Sequence, residues 1–299
     1  MSNKSTAIIV TGSSGYVGTS LVPYLRKFYN VITLDLLMHP NTDHCMDIAN
    51  PDISTILTSD YEYIIIHLAA ARFDFGISAS KYFKLNVEST KSFLDLLANF
   101  KVSHFIHYSS VAAIDGENIV FSDNLSCDDA YRSSKYLQSK IVQEFCCVHN
   151  IPLTSLLPSA IYSNDSNINT NIAKLQKLTS ILPFIPYINV MKSLTSLSDL
   201  TIFTNYVITN KLYGPFITID DPIQNVTCTI ERFSKKKMFT IYIPFLFYIL
   251  FIISFILTKL FRLSYLTPNR VVKLFTDTSY IQYHEQYNFK AYSDFLKTK

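Results

Sequence analysis

Short apolar runs alternate along the first half of the chain with segments whose apolar residues recur every three to four positions. The runs are typical of buried strands, and they lie at residues 7–10, 31–36, 61–71, 102–110 and 151–163. The segments between them have the spacing of amphipathic helices, at residues 17–28, 80–100 and 129–150. Strands that alternate with helices form βαβ units. The pattern therefore predicts an α/β fold with a Rossmann-type, doubly wound parallel sheet.

The first apolar run ends in a glycine-rich turn that leads into the first helical segment. The chain has 6 glycines, and Gly12, Gly15 and Gly18 recur here at three-residue spacing. Such glycines permit a tight turn, close approach of a pyrophosphate and close packing of helix on strand. The helix N-terminus attracts phosphates. Asp35, about twenty residues further on, is placed to accept hydrogen bonds from an adenosine ribose. The sequence therefore predicts a dinucleotide site.

After residue 163 the regular alternation gives way to shorter, mixed elements, with residues 194–200 and 214–223 as the clearest. We therefore expect residues 1–163 to form the dinucleotide-binding domain. Residues 164–299 are expected to form a small mixed C-terminal lobe that binds the substrate, with an apolar helix near 245–261.

Composition and charge narrow the class of protein. With 48% hydrophobic and 16% charged residues the chain can bury a sizeable core. A net charge of +3 is too small to indicate nucleic acid as a partner. The five cysteines show neither a C-x-x-C pair nor zinc-ligand spacing, so we expect no metal site. Buried free thiols also fit a reducing compartment, which we expect for this protein.

Tyr131 and Lys135 are four residues apart in a helical segment and therefore project from one face. A lysine ammonium close to a phenol lowers the pKa of the phenol. Tyr131 is therefore a candidate general acid/base for an alcohol hydroxyl. The pair follows a strand that ends in Ser109 and Ser110, which in turn follows the glycine turn. This order along the chain indicates one shared site.

In these motifs the chain resembles the extended short-chain dehydrogenase/reductases, in particular the NAD-dependent epimerase/dehydratase group. The matching segments are T-G-x-x-G-x-x-G at 11–18, an Asp–aliphatic pair at 47–48, H-x-A-A at 67–70, N-V-x-x-T at 86–90, Y-S-S at 108–110 and Y-x-x-x-K at 131–135. The resemblance implies NAD as cofactor. It also implies that Ser110 hydrogen-bonds the reacting oxygen, that Tyr131 exchanges its proton, and that Lys135 also holds the nicotinamide ribose.

The residues expected to bind the cofactor combine the glycine turn with positions that the resemblance implies. They are Gly12, Gly15, Tyr16, Val17, Gly18, Asp35, Asp47, Ile48, Leu68, Ala69, Ala70, Asn86, Tyr131, Lys135 and Pro158. Two departures from the family leave alternatives open. Val111 could be aligned with the catalytic serine, although Ser110 fits the strand end better. The family's L-R-P segment reads Leu156-Leu157-Pro158 here, so its arginine is missing. Arg232 is the candidate to bind the pyrophosphate.

The resemblance thus implies an NAD-dependent oxidoreductase or epimerase that acts on a hydroxyl, at C4, of a nucleotide-diphosphate sugar. The resemblance points to surface polysaccharide synthesis. Three alternatives remain open: a nucleotide-sugar 4-ketoreductase, a membrane-associated enzyme of the 3β-hydroxysteroid dehydrogenase type, and a non-catalytic NAD-binding sensor.

A run without charged side chains, residues 238–258, lies between basic flanks and is interrupted by Pro244. Such a run is apolar enough to suggest a membrane, but a helix from 245 to 261 reaches only about 26 Å. A buried helix, in-plane membrane contact and a true span are left open. We expect a cytoplasmic protein that at most contacts the inner face of the membrane. Association with a second copy, as a homodimer, is left open.

Overall fold

A computed structural model describes residues 5–50, 52–72, 77–163, 179–181, 184–234, 236–261 and 268–299. Its centre is a seven-stranded sheet with the order β11-β6-β5-β4-β1-β2-β3, in which every neighbouring pair is parallel. The strands are β1 Ser5–Thr11, β2 Asn30–Asp35, β3 His44–Cys45, β4 Tyr61–His67, β5 Val102–Tyr108, β6 Leu153–Pro158 and β11 Gly214–Thr218. The predicted fold class is confirmed.

Helices cover both faces of this sheet, as a doubly wound fold requires. Those of the first half are α1 Gly18–Leu25, α2 Ile53–Ile56, α3 Ala79–Phe83, α4 Ser89–Leu97, α5 Val111–Gly116 and α6 Cys127–Val148. A π-helical turn, Lys84–Glu88, joins α3 to α4. Two later helices belong to the same body, α7 Leu197–Asn210 and α11 Phe289–Thr298.

The core lies between the sheet and these helices. Ala7, Ile8, Ile9 and Val10 of β1 are fully buried, because a central parallel strand is covered on both faces. One side packs against α4 and α6 through a cluster that includes Phe93 and Val142. On α7, the ring of Phe203 contacts Phe216, Tyr292 and Phe295. Residues 282–299 thus belong to the same compact unit as the first strands.

The chain divides into two compact units that are not contiguous in sequence. The first comprises residues 1–159, 197–218 and 282–299, and the second comprises 160–196 and 219–281. This division differs from a single boundary after residue 163. Residues 214–218, expected in the C-terminal lobe, instead pair with β6 and extend the main sheet, because the outer edge of β6 offers them a ladder of hydrogen bonds.

The second unit is built from short strands and three helices among its described residues. Its strands pair as β7 Ala160–Tyr162 with β10 Leu194–Ser196, β8 Phe184–Pro186 with β13 Phe239–Ile241, and β9 Met191–Lys192 with β12 Gln224–Asn225. Its helices are α8 Val226–Phe233, α9 Leu246–Phe261 and α10 Pro268–Phe275. The predicted apolar helix near 245–261 is thus present as α9. Within the described residues, no helix combines the length and apolar character needed to cross a membrane.

Candidate active site

The glycine turn closes tightly around the end of β1. Gly12 has φ +76°, and its N–H donates to the carbonyl of Leu34 at 2.9 Å. A Cβ on Gly12 would lie 2.8 Å from the nitrogen of Ala69, and one on Gly18 would lie 2.5 Å from the carbonyl oxygen of Gly12. Both positions therefore exclude any side chain. Gly15, in contrast, is exposed at the surface of the turn.

Asp35 sits at the end of β2 and fixes the turn from the next strand. Its Oδ2 accepts a hydrogen bond from the N–H of Ser14 at 2.8 Å, and its Oδ1 accepts one from the N–H of Leu37 at 3.1 Å. A carboxylate beside an exposed glycine backbone matches the ribose and pyrophosphate of a dinucleotide. The exposed Gly15 and the Asp35 carboxylate at this edge of the sheet therefore fit NAD.

The end of β4 is tied to the end of β1 by buried hydrogen bonds. Thr11 Oγ1 lies 2.9 Å from His67 Nδ1 and accepts from the N–H of Ala69 at 3.2 Å. His67 Nε2 lies 3.1 Å from Thr90 Oγ1, whose hydroxyl donates to the carbonyl of Asn86 at 2.7 Å. His67 Nε2 also lies 3.3 Å from Gln138 Nε2, so which ring nitrogen carries the proton decides whether it donates to Thr90 or accepts from Gln138. Burial, aided by the charge of Lys135, lowers the pKa of His67 to about 3, so the ring is neutral.

Asn86 holds the loop that follows β4. Its Oδ1 accepts from the N–H of Ala71 at 2.6 Å, and its Nδ2 donates to the carbonyl of Ala71 at 3.2 Å and to Ser134 Oγ at 2.9 Å. The side chain is fully buried. Asn86 thus shapes the edge on which a cofactor would lie, while its own contact with the cofactor stays a prediction.

Ser110 and Tyr131 meet across two helices. Ser110 is the N-cap of α5, where its Oγ accepts from the N–H of Ala112 at 3.1 Å. Its side chain lies beside Tyr131 on α6, close enough to lower the pKa of that phenol in part. Val111, the alternative in the alignment, is buried and points no polar group at Tyr131. The strand-end serine is therefore the one that structure brings to the tyrosine.

Lys135 does not act on Tyr131 as the spacing suggested. Burial raises the pKa of Tyr131, the side chain of Ser110 lowers it in part, and Tyr82 raises it. The expected lowering of this pKa by Lys135 is therefore wrong for the structure. The Nζ of Lys135 instead donates to the carbonyl of Tyr108 at 3.0 Å and to Gln138 Oε1 at 2.6 Å. Burial also lowers the pKa of Lys135 to about 7.

Gln138 is a site residue that the sequence pattern did not single out. Its Nε2 donates to Thr90 Oγ1 at 3.0 Å and to the carbonyl of Ala69 at 3.3 Å, while its Oε1 accepts from Lys135. The side chain is fully buried. It therefore links the proposed catalytic lysine to the ends of β1 and β4. The available signal was its position, three residues after Lys135 on the same helix face.

Gly116 allows the helix that follows Ser110 and the helix that carries Tyr131 to approach each other. A Cβ on Gly116 would lie 2.2 Å from the carbonyl oxygen of Arg132, on the turn of α6 next to Tyr131. Only glycine fits such a backbone contact. The distance between α5, which carries Ser110, and α6 is thus set by this residue.

The other expected cofactor residues surround the same edge of the sheet. Tyr16 and Val17 lie half-buried before α1, Leu68 is half-buried after β4, and Ala70 is exposed. Asp47 is exposed, and its Oδ1 accepts from the N–H of Ala49 at 2.9 Å. Ile48 packs in the core cluster, and Pro158 ends β6. Their contacts with a cofactor stay predictions.

Arg232, the candidate for the pyrophosphate, belongs to the second unit. Its guanidinium lies 3.2 Å from Asp220 Oδ2 and donates to the hydroxyl of Tyr162 at 2.9 Å. The side chain is partly exposed, with 44% of its surface accessible. Arg232 is therefore held by an ion pair within its own unit, and a role at a pyrophosphate stays a prediction.

Comparison with known families agrees with this geometry. The sequence model of a family described as "NAD dependent epimerase/dehydratase family" matches residues 8–182. The match covers more than half of the 299 residues and includes the glycine turn, Asp35, Ser110, Tyr131 and Lys135.

Two curated relatives match more weakly. One is a GDP-6-deoxy-D-talose 4-dehydrogenase of Aggregatibacter actinomycetemcomitans, 26% identical over 174 residues, with 56% of this chain and 57% of the relative covered. The other is the low-salt glycan biosynthesis protein Agl12 of Haloferax volcanii, 24% identical, with 48% and 53% covered. The chain thus spans about half the length of the curated relatives it matches.

Solved structures share the fold over most of the chain. The UDP-glucuronic acid 4-epimerase of Bacillus cereus in complex with NAD superposes with a TM-score of 0.61 at 19% identity, covering 79% of this chain and 87% of that one. The dTDP-4-dehydrorhamnose reductase of Bacillus anthracis in complex with NADP gives 0.60 at 18% identity, covering 81% and 86%. At these identities the likeness establishes the fold.

Proposed function

Because the chain belongs to the NAD-dependent epimerase/dehydratase family, we propose that it is an NAD-dependent enzyme that oxidises or epimerises a hydroxyl-bearing carbon of a nucleotide-diphosphate sugar. One observation carries the proposal: Ser110 lies beside Tyr131, where its side chain partly offsets the burial that raises the pKa of the phenol, in the same unit as the glycine turn and Asp35. A proton-transfer group and a dinucleotide cradle are the two parts that such chemistry needs.

The residues of the chain divide the work between them. When bound, NAD supplies the acceptor for the hydride of the carbinol carbon. Tyr131 takes the hydroxyl proton, and Ser110 hydrogen-bonds the same oxygen. A phenol whose pKa is raised by burial must lose its own proton before it can take another. We propose that this proton leaves to Lys135, whose pKa of about 7 lets it gain or lose a proton near neutrality, and that the transfer is indirect, because Nζ hydrogen-bonds Tyr108 and Gln138 rather than the phenol.

The substrate class rests on the names of similar proteins. The structures include a UDP-glucuronic acid 4-epimerase and a dTDP-4-dehydrorhamnose reductase, and one curated relative is a GDP-6-deoxy-D-talose 4-dehydrogenase. All three names specify a nucleotide sugar or one of its 4-keto or deoxy forms, and all three name position 4 of the sugar. We therefore assign C4 as the reacting carbon and the second unit as the part of the chain that binds the sugar nucleotide.

A glycan pathway is the proposed setting. One relative is described as a glycan biosynthesis protein. We therefore place the enzyme in the synthesis of a surface polysaccharide. Its cysteines Cys45, Cys127, Cys146, Cys147 and Cys228 are free, which fits the reducing cytoplasm.

A second candidate function is net oxidation or reduction at C4 without epimerisation. The name of the 4-dehydrogenase relative favours it. The same residues serve both outcomes, because the 4-keto sugar either returns to an alcohol of opposite configuration or leaves as product.

The test is to incubate the purified protein with NAD and a panel of UDP-, GDP- and dTDP-hexoses, and to identify the products by NMR. A C4 epimer supports epimerisation, and an accumulating 4-keto sugar with reduced NAD supports the second candidate. A parallel incubation with a 3β-hydroxysteroid tests the alternative substrate. Turnover of the steroid alone would contradict the proposed substrate class.

A further inference from the structure

Helix α9 carries an apolar face that points away from its own unit. The helix packs inward through Leu246, which contacts the core of the second unit, and Phe247, whose ring centroid lies 5.3 Å from that of Phe275 on α10. The outward residues are also apolar, and we call them the apolar face of α9. They are Tyr248, Ile249, Ile252, Ile253, Phe255 and Ile256, each between 42% and 63% exposed.

This arrangement reverses the usual pattern of a surface helix, whose outward face is polar. The exposed apolar surface continues beyond the helix, since Phe239, Tyr242 and Phe245 are each at least 74% exposed. A contiguous patch of this kind marks a surface that another body covers. Exposed single hydrophobic residues elsewhere, such as Val148, have no comparable neighbours along their helix.

The charges within the run that carries the patch have one sign, while Glu231, just outside the run, accepts a hydrogen bond from Thr240 of β13 at 2.9 Å. Residues 233–276 contain basic residues at positions 235, 236, 237, 259, 262, 270 and 273, and they contain no Asp or Glu. Lys236 and Lys237 are exposed before β13, and Lys259 lies at the last turn of α9 with its Nζ 5.8 Å from the ring centroid of Phe255. The apolar face therefore lies between two basic ends.

We propose that the apolar face of α9 lies in the plane of an anionic lipid surface, with the lysines at its two ends among the headgroups. Aliphatic and aromatic residues between basic residues are the composition of interfacial helices. The 16 residues of α9 extend about 24 Å, less than the roughly 30 Å of a hydrocarbon core, so the helix is suited to lying on the surface.

A second copy of the chain is a poorer occupant of this face. Because both ends of the run are basic and no acidic residue lies between them, self-pairing would bring lysine against lysine whether the helices run parallel or antiparallel. Like charges set against each other oppose association. Anionic headgroups, in contrast, complement both ends.

The inference does not rest on the proposed activity, and it is tested without substrate. The full chain is sedimented with vesicles of phosphatidylcholine alone and of phosphatidylcholine with phosphatidylglycerol. We expect binding to the anionic vesicles that weakens as salt is added. The variant Ile252→Glu/Ile256→Glu should bind the anionic vesicles at least about tenfold more weakly. It removes two apolar side chains from the face that enters the lipid.

Two further variants complete the design. Phe28→Glu/Val148→Glu carries the same added charge at positions of the first unit that are 58% and 75% exposed, and it should bind like the wild type. Lys236→Gln/Lys237→Gln should weaken binding about fivefold per lysine, and it covers the case in which the glutamate variant fails to fold, as judged by circular dichroism.

The proposal is overturned if the wild type ignores anionic vesicles, or if folded Ile252→Glu/Ile256→Glu binds as the wild type does. It is also overturned if the wild type does not bind vesicles while light scattering gives Ile252→Glu/Ile256→Glu a molar mass different from that of the wild type. The face would then be an interface between copies.

Discussion

At the scale of single residues, the proposed proton-transfer pair is tuned mainly by burial. Removal from water raises the pKa of the Tyr131 phenol and lowers that of the Lys135 ammonium to about 7. Both shifts favour the neutral form of each group. Of the two groups, Lys135 is therefore the one that exchanges a proton near neutral pH. Among the described residues, Gln138 is the side chain that contacts the lysine nitrogen most closely, at 2.6 Å.

The first prediction concerns Gln138 as a positioning residue. In Gln138→Glu a carboxylate replaces the amide oxygen beside Lys135, so the pKa of the lysine should rise. We expect the limb of the pH–kcat profile that reports Lys135 to move to higher pH by about one unit or more. Gln138→Leu, which removes the hydrogen bond without adding charge, is the matched control and should not shift the limb upward. Loss of activity with an unmoved profile in both variants would indicate a merely structural role.

Asp35 carries the second prediction, a preference for NAD over NADP. Its carboxylate would repel the 2′-phosphate of NADP, and no Arg or Lys follows in residues 36–41. Calorimetry should show NAD bound at least about tenfold more tightly, a ratio that corresponds to roughly 1.4 kcal/mol. Asp35→Asn should narrow the difference between the two affinities, because it removes the charge that repels the 2′-phosphate. The turn should be kept, because the amide oxygen can still accept from the N–H of Ser14. Equal or tighter binding of NADP by the wild type would refute the role given to Asp35.

At the scale of elements, the contact between α5 and α6 fixes how Ser110 meets Tyr131. The sequence shows a glycine at position 116 but gives no sign that it touches a backbone carbonyl of another helix. A Cβ there would lie 2.2 Å from the carbonyl oxygen of Arg132, so one of the helices must move in any larger variant.

We therefore predict that Gly116→Ala lowers the free energy of unfolding by about 1–3 kcal/mol, the usual cost of overpacking. It should also lower kcat more than it weakens binding of NAD, because the helix that carries Ser110 is displaced while the glycine turn is untouched. Urea denaturation and calorimetry measure the two effects. Glu117→Ala, an exposed change on the next residue, is the control and should be close to neutral. A fully stable and active Gly116→Ala would mean that the helices adjust at no cost.

The elements were predictable where local pattern determines them. The five apolar runs of the first half became β1, β2, β4, β5 and β6, because central parallel strands are buried on both faces and read as continuous apolar runs. The assignment of 214–218 to the main sheet was not predictable. It depends on pairing with β6, more than fifty positions away, and no local periodicity encodes such a partner.

The site shows the same limit at closer range. Motif order predicts that Ser110 and Tyr131 share one site at the carboxyl end of the parallel sheet. The structure places the two side chains close together, and their shared catalytic role stays a prediction. Spacing alone also suggested that Lys135 acts on the phenol, whereas its Nζ is engaged by a backbone carbonyl of β5 and by Gln138. Which partner a buried lysine chooses depends on three-dimensional neighbours that a four-residue interval does not specify.

For the whole molecule, three buried histidines link stability to pH. Burial lowers the pKa of His67 to about 3 and that of His104 to about 4, and it holds the pKa of His107 well below its usual range. Below about pH 6.5 the unfolded chain binds protons at these positions and the folded chain does not. The free energy of unfolding should therefore fall as pH drops through 6.5 towards about 4.

Each histidine contributes up to about 1.4 kcal/mol per pH unit in this window. We predict that urea denaturation shows a marked loss of stability between pH 7 and pH 5. In the wild type, His104 Nε2 lies 2.8 Å from Thr154 Oγ1. In His104→Gln the amide can keep a hydrogen bond to Thr154 but cannot gain a proton, so about a third of the pH dependence should disappear. A free energy of unfolding that stays constant over this range would show that the histidines titrate alike in both states.

The central claim is that Tyr131 exchanges the proton of a nucleotide-sugar hydroxyl, and one measurement tests it most directly. The wild type and Tyr131→Phe are compared for turnover of the nucleotide sugar that the panel identifies, with NAD affinity measured by calorimetry on the same samples. We predict a loss of kcat of about 10²–10⁴-fold, the usual worth of a positioned proton-transfer group, with NAD binding nearly unchanged. A loss of less than tenfold, with NAD binding retained, would contradict the account and assign the proton transfer to another residue.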